Sequence, residues 1–322
     1  MKAIVYDRYG PPEVLRLEEV QLPGAGPGEV RVRVRAASVT TADWRLRASA
    51  FPGVLWLPGR LMTGLFRPRN RVLGLDFAGE VDAVGDGVSR FATGDRVFGF
   101  AGKGAHAEYL VMPEAGAIAA TPEDLSDPEA AALPFGALSA LVFLRDYAGL
   151  LPGQSVAVVG ASGGVGAYAV QVARALGARV TGIASAGSRG FVLGLGAERF
   201  VDYGVEDFTF GAERYDLVLD TVGATDFSRA RRVLTPSGLF LPLNFGLREI
   251  VQSLRTRLRS GPRVTIGVSG DTAADLEALK TMIAEGQLRP VIDSIYPLGR
   301  IAEAHAHVET RHRRGAVVIS PV

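Results

Sequence analysis

The chain of 322 residues contains no cysteine, which excludes disulfides, thiolate-bound metals and a cysteine nucleophile together. Neither sign of charge is in excess: 35 Lys and Arg stand against 34 Asp and Glu, a formal net charge of +1. That balance provides no general attraction to nucleic acid or to an anionic membrane, and neither is expected as a partner. No run of about 18 uninterrupted apolar residues occurs. The opening MKAIVYDRYG alternates like a strand instead of following the basic-then-apolar order of a secretory signal. A soluble cytoplasmic protein is therefore expected.

What is present is enough chain for two domains at about 150 residues each. Residues 1–47 carry β patterning in MKAIVY, VLRLEEV and EVRVRVRAASV, broken by Gly10-Pro11-Pro12 and Pro23-Gly24. A Pro-punctuated apolar insert, FPGVLWLPGRLMTGLF, follows and reads as a loop; a second β block runs from Val72 to Val111. After Pro122 the period becomes helical, with Asp127 before Pro128 in the order of an N-cap and a first-turn proline. From there to Pro262 strands and helices alternate through SVAVVG, RVTGIAS, RFVDY, YDLVLDTVG and GLFLPLN, the mark of a parallel sheet flanked by helices. The tail is mixed, with helical DLEALKTMIAEGQL and IAEAHAHVET and a final AVVIS strand.

The densest signal is a glycine turn. Val156 to Val159 form a buried strand, and Ala161-Ser162-Gly163-Gly164-Val165-Gly166 then occupies the place of a dinucleotide fingerprint, with alanine where its first glycine stands. Such a turn lets backbone approach a diphosphate, and the helix it opens offers unpaired N–H groups to the anion. A carboxylate at the end of the second strand would select NAD by bonding the ribose 2′-hydroxyl. Here Ile183-Ala184-Ser185-Ala186-Gly187-Ser188-Arg189 has none, and the next is Glu198. Ser185, Ser188 and Arg189 suit a 2′-phosphate, so NADPH is the expected cofactor. Arg189 has a second reading as a solvated surface charge.

The segments KAIVYDRYGPPEVLRLEEV, VLGLDFAGEV, GDRVFGF, GAHAEYLVMP, AALPFGALSALVFL, ASGGVG, LGAERFVDY, YDLVLDTVG and RRGAVVI, in that order, resemble the successive signatures of the medium-chain dehydrogenase/reductase superfamily. Within it they are most similar to the zinc-free quinone oxidoreductase branch. The resemblance spans essentially the whole chain. It implies an α/β fold with a doubly wound Rossmann sheet for NADP in residues 123–262, and a GroES-like β-rich catalytic domain made from residues 1–122 and 263–322. The active site would lie in the cleft between them. It places Tyr203 beside Ser185 and Arg189 at the 2′-phosphate, Ser139 and the Asn244-Phe245 loop at the nicotinamide half, and Asp220, Val222 and Gly223 under the riboses. Asp220 has a second reading as the cap of a turn.

Zinc enzymes of that superfamily have cysteine and histidine where this chain has Thr40 and Leu75, and leucine cannot bind zinc. No metal is expected. Without a Lewis acid, the easiest hydride acceptors spread their own negative charge. A conjugated carbonyl or quinone substrate follows. Thr40 and Asp43 are the candidate catalytic contacts; Asp43 has a second reading as a helix-initiating residue, and the family often has asparagine near Thr40. Two other functions stay open: an NADPH-binding regulatory protein without turnover, and a metal-free alcohol or aldehyde reductase.

Among the four histidines, His305 and His307 stand two apart on a helix, point to different faces and read as solvated. His106 begins a strand and could reach the cleft. Arg255, Arg257, Arg259 and Arg263 form a local basic stretch; with no interleaved aromatics it reads as a solvated helical face, although basic amphipathic helices also meet membranes or RNA. The apolar insert around Trp56 walls a substrate pocket, contacts a second subunit or packs on the barrel. A homodimer through a VTIGVSG sheet edge is expected by analogy.

Overall fold

The computed structural model describes residues 1–51 and 53–321. It begins with β1 (Lys2–Val5), β2 (Arg16–Glu19), β3 (Glu29–Val39), α1 (Thr41–Ala48), α2 (Trp56–Thr63), β4 (Asp76–Val84), β5 (Arg96–Phe100), β6 (Tyr109–Pro113) and β7 (Ala117–Ala120). The middle comprises α3 (Asp127–Ala131), α4 (Ser139–Val142), β8 (Ser155–Val159), α5 (Gly166–Ala175), β9 (Arg179–Ala184), α6 (Arg189–Gly194), β10 (Arg199–Asp202), β11 (Tyr215–Asp220), α7 (Phe227–Ala230), β12 (Leu234–Pro242), α8 (Leu247–Arg257) and β13 (Arg263–Val264). The chain closes with α9 (Ala273–Ala284), β14 (Ile292–Pro297), α10 (Ile301–Glu309) and β15 (Ala316–Ser320).

The middle segment builds a six-stranded sheet in the order β10-β9-β8-β11-β12-β13, parallel at every pairing. β8 is buried at all five positions, as an apolar strand covered on both faces must be. The order reverses direction between β8 and β11, so the crevice beyond their carboxyl ends is where such a sheet receives ligands. This is the doubly wound Rossmann arrangement.

The second sheet has seven strands, ordered β14-β15-β3-β4-β5-β7 with β6 also on β3. β3 shows why it forms: Val30, Val32 and Val34 are buried, while the alternate Arg31 and Arg35 turn outward to Asp82 and Glu80. Its far end pairs antiparallel with β15, Val39 opposite Val317, so both ends of the chain share this GroES-like β-rich sheet. Tyr168 locks the two parts together. Its hydroxyl donates to the Ala132 carbonyl at 2.9 Å and accepts from the Val291 N–H at 3.1 Å, fully buried.

The insert differs from the loop that its prolines suggested, because Trp56–Thr63 is helical. Pro58 falls in the first turn, where its missing N–H has no intrahelical partner to lose, and Gly64 at φ 120° ends the helix. His305 is also corrected: it is fully buried in the core, its ring edge-on to buried His106 at 5.7 Å. Two residues further on, His307 stays half-exposed beside Asp293. His106 points inward, with Nε2 at 2.9 Å from the Ser38 carbonyl oxygen, rather than into the cleft.

Candidate active site

The turn after β8 is shaped by what a side chain would strike. Gly160 has φ +79°, a left-handed value that favours glycine. A Cβ on Gly166 would lie 2.0 Å from the Gly160 carbonyl oxygen, so only glycine lets α5 start this close to β8. Nothing nearer than 3.4 Å would meet a Cβ on Gly163. No side chain caps the start of α5 at Val165; the Ala167 N–H donates to the Gly163 carbonyl at 2.9 Å, and the remaining first-turn N–H groups have no side-chain partner. The Ser162 carbonyl accepts from the Gly315 N–H at 3.1 Å, pinning the turn to the approach of β15.

A cleft of about 520 Å³ opens over this turn, lined on the sheet side by Gly163, Gly164, Val165, Thr221, Val222 and Asn244. The opposite wall comes from the chain ends: Thr41, Arg45, Val308, Arg311 and Arg313. Among the described residues three arginines and no carboxylate line the space, so its field favours an anion. Arg313 is buried, donating from Nε to the Gly315 carbonyl and from Nη2 to the Thr41 hydroxyl, each at 3.1 Å. Burial pushes its guanidinium down to about 10, against the pull of Asp293 and Asp43; it remains a cation at neutral pH. Burial and then the nearby Arg311 charge lower Arg45, whose Nη2 reaches Asn244 Oδ1 at 2.6 Å across the cleft.

The structure brings Ser162, Gly163, Gly164, Val165 and Gly166 together with Val222 and Asn244. Phe245 lines the adjoining hollow instead, with Gly223, Asp226 and Arg248. Ser139 is buried at the start of α4 and is not among the residues lining either space. Asp220 is fully buried, and its carboxylate accepts from the N–H groups of Val222, Gly223, Ala224 and Thr225. That is the turn-holding reading. Desolvation dominates over those bonds and raises its pKa.

Ser185, Ser188 and Arg189 gather at the end of β9, with Tyr203 just past β10 and its N–H on the Ala184 carbonyl. Ser188 is buried, while Arg189 and Tyr203 are exposed. Arg314 reaches into this loop and donates to the Gly187 carbonyl at 2.7 Å. Thr40 and Asp43 form a buried capping box: Asp43 Oδ2 accepts from the Thr40 N–H and hydroxyl, and Thr40 Oγ1 accepts from the Asp43 N–H. Asp43 Oδ1 takes the Gly74 N–H at 3.0 Å. These groups are satisfied by one another; it is the neighbouring Thr41 that faces the cleft. Sequence reasoning missed Thr41, Arg45, Arg311, Arg313 and Arg314. The Arg311-His312-Arg313-Arg314 cluster before the last strand was the available signal.

The donor set fits a dinucleotide: backbone N–H groups and arginines for a diphosphate, hydroxyls and Arg189 for a further phosphate. For zinc it does not fit, since Leu75 and Thr40 stand at the ligand positions and cysteine is absent. Among the described residues no group of three or more His, Asp or Glu could hold a metal ion.

Residues 26–123 match the alcohol dehydrogenase GroES-like domain, and residues 195–319 match a domain described as zinc-binding dehydrogenase. The chain is 32% identical to quinone-oxidoreductase QR1, chloroplastic, of Triphysaria versicolor, across 100% of this chain and 98% of that protein. Among solved structures, the quinone oxidoreductase from Coxiella burnetii superposes with a TM-score of 0.88 at 30% identity, covering 100% of this chain and 99% of the other. The Escherichia coli quinone oxidoreductase complexed with NADPH gives a TM-score of 0.84 at 25% identity, covering 100% of both.

Proposed function

The chain belongs to the medium-chain dehydrogenase/reductase superfamily, in its zinc-independent quinone oxidoreductase branch, and from that premise we propose that it uses NADPH to reduce quinones, enones and related α,β-unsaturated carbonyls. It is an NAD(P)-dependent oxidoreductase. One observation carries the finer reading: a glycine turn faces a carboxylate-free cleft walled by Arg45, Arg311 and Arg313, while the loop that would discriminate the ribose has Ser185, Ser188 and Arg189 in place of an acid.

When bound, the reduced nicotinamide supplies the hydride. The glycine turn and the three arginines would hold the diphosphate; Ser185, Ser188, Arg189 and Tyr203 would hold the 2′-phosphate. Val222 and Asn244 line the same cleft and would border the nicotinamide half, whereas Ser139 lies buried at the start of α4 and Phe245 lines the adjoining hollow. Thr40 and Asp43 fix the first turn of α1, so that Thr41 and Arg45 project into the cleft. A direct contact of Thr40 or Asp43 with a reacting carbonyl requires this box to open. With no zinc ligands at the corresponding positions, the acceptor must delocalise the incoming charge itself, which selects conjugated carbonyls over simple ones. Stopped-flow oxidation of bound NADPH on mixing with a panel of quinones and enones tests the reading. Binding without oxidation across the panel would leave a regulatory protein, and turnover confined to simple aldehydes would replace the acceptor class.

A further inference from the structure

Thr41 and Arg45 turn from α1 into the dinucleotide cleft, while Leu46 of the same helix lines a second cavity, of about 530 Å³, in the β-rich domain. Its wall is mostly apolar, with Met62 of α2, Val72, Leu73 and Leu75 joining Leu46. Leu75 stands where zinc enzymes of the superfamily hold the metal that polarises the reacting oxygen, so the wall passes the place where an acceptor presents its carbonyl. Cavity and cleft also share one buried support: Asp43 Oδ1 accepts from the Gly74 N–H beside Leu75, and Asp43 Oδ2 accepts from Thr40 at the start of α1.

Tyr6 lines the cavity at 3% exposure, and its hydroxyl has no hydrogen-bond partner among the described residues. A buried hydroxyl without a partner is costly, which marks a place for a group from outside the chain. Burial, then Tyr9 and Asp43, push its pKa up, so it stays a neutral donor. Asn70 and Lys103 line the cavity at its exposed rim, and neither side chain has a partner among the described residues. Arg69 adjoins Asn70, with its N–H on the Thr63 carbonyl at 2.8 Å and its exposed guanidinium in no ion pair among the described residues. The other cations of this segment are engaged: Arg60 stacks on Tyr9 and Trp56, and Arg71 pairs with Asp7 and Glu18. Among the described residues no carboxylate lines the cavity.

We propose that this cavity takes the acceptor, and that Lys103, with Asn70 and Arg69, selects conjugated carbonyls whose apolar body ends in an oxyanion, a carboxylate or a phosphate. An apolar wall with a few polar groups suits the body of such a molecule. The Tyr6 hydroxyl supplies a donor inside, and the unpaired cations at the mouth attract the far end. A wholly neutral quinone would use the wall and the hydroxyl and leave both cations in water. The inference rests on the reading of the chain as a reductase of conjugated carbonyls, and adds to it the charge of the acceptor.

Steady-state reduction of benzalacetone, its para-carboxylate and its para-phosphate ester by NADPH tests it. KM for the anions should lie about fivefold or more below that of the neutral ketone, the gap closing with added salt; the lower of the two anionic values identifies the oxyanion. Lys103→Glu with Arg69→Glu should raise KM for the anions to that of the neutral ketone or above it, and Lys103→Arg should keep the gap. Both positions are exposed, so circular dichroism and melting should match the parent. Tyr6→Phe should raise KM for all of these acceptors together, roughly threefold to tenfold, while the NADPH dissociation constant measured by calorimetry holds. Equal KM for neutral and anionic acceptors, or a gap that survives in the folded double variant, overturns the proposal and leaves the reductase reading standing. Turnover of no enone or quinone removes that reading, and this inference with it.

Discussion

Arg189 stands at the end of β9 with its guanidinium 5.7 Å from the centre of the Phe200 ring, held by a stacking contact and by no ion pair among the described residues. A 2′-phosphate placed there would gain a charge-assisted bond worth about 1.5–3 kcal/mol. Arg189→Ala should therefore weaken NADPH binding roughly tenfold to a hundredfold and leave NADH nearly unchanged, as measured by calorimetric titration; equal loss for both would remove the assignment. His305 gives a prediction of a different kind. Burial, then the nearby His106 and the Arg47 charge, hold its pKa well below the ordinary value, and neither ring nitrogen has a hydrogen-bond partner among the described residues. The unfolded chain takes up a proton there near pH 6.5 while the folded chain does not, so this contribution is complete above that pH and is lost as pH falls, by about 1.4 kcal/mol per unit. His305→Leu should remove about 1.4 kcal/mol of pH dependence in total from urea titrations between about pH 7.5 and 5.5, the full slope being reached only below that window. An unchanged slope would show that the proton is taken up elsewhere.

The strand, turn and helix of β8–α5 were legible because they are contiguous: a buried apolar run, a glycine cluster and a helical period lie within residues 155–175. Gly166→Ala should force α5 away from β8, since its Cβ would meet the Gly160 carbonyl oxygen at 2.0 Å. A cost of about 1–3 kcal/mol in denaturant titration, with a matching loss of dinucleotide affinity, is expected. The start of α1 was half legible. Thr40 and Asp43 stand three apart in the order of a capping box, yet their burial and mutual satisfaction left them as candidates for chemistry until the geometry was known. Thr40→Val should cost about 1 kcal/mol in urea unfolding through the lost cap. The helix in the apolar insert was not legible, because two prolines and three glycines between Phe51 and Gly64 punctuate it like a loop.

At the scale of the whole molecule, the cleft's second wall could not be read locally. Arg45 and Thr41 follow β3, while Arg311 and Arg313 precede β15, and only the pairing of Val39 with Val317 sets them side by side. Arg47 reinforces that closure: its guanidinium is fully buried, donates to the Gly10 carbonyl and pairs with Glu309 at the end of α10. Arg47→Ala removes the packed side chain and leaves the part-exposed Glu309 carboxylate unpaired, and should cost about 1–3 kcal/mol in denaturant unfolding, more than a surface pair would give. The arrangement also sets an order in time. As the polypeptide leaves the ribosome, the far end of β3, Ala37 to Val39, has no partner on that side until Val317 to Ile319 of β15 are made. A cell that makes this protein must shield that stretch from other nascent chains in the interval, and a chain interrupted before Arg311 is left with an exposed strand end and half a cleft.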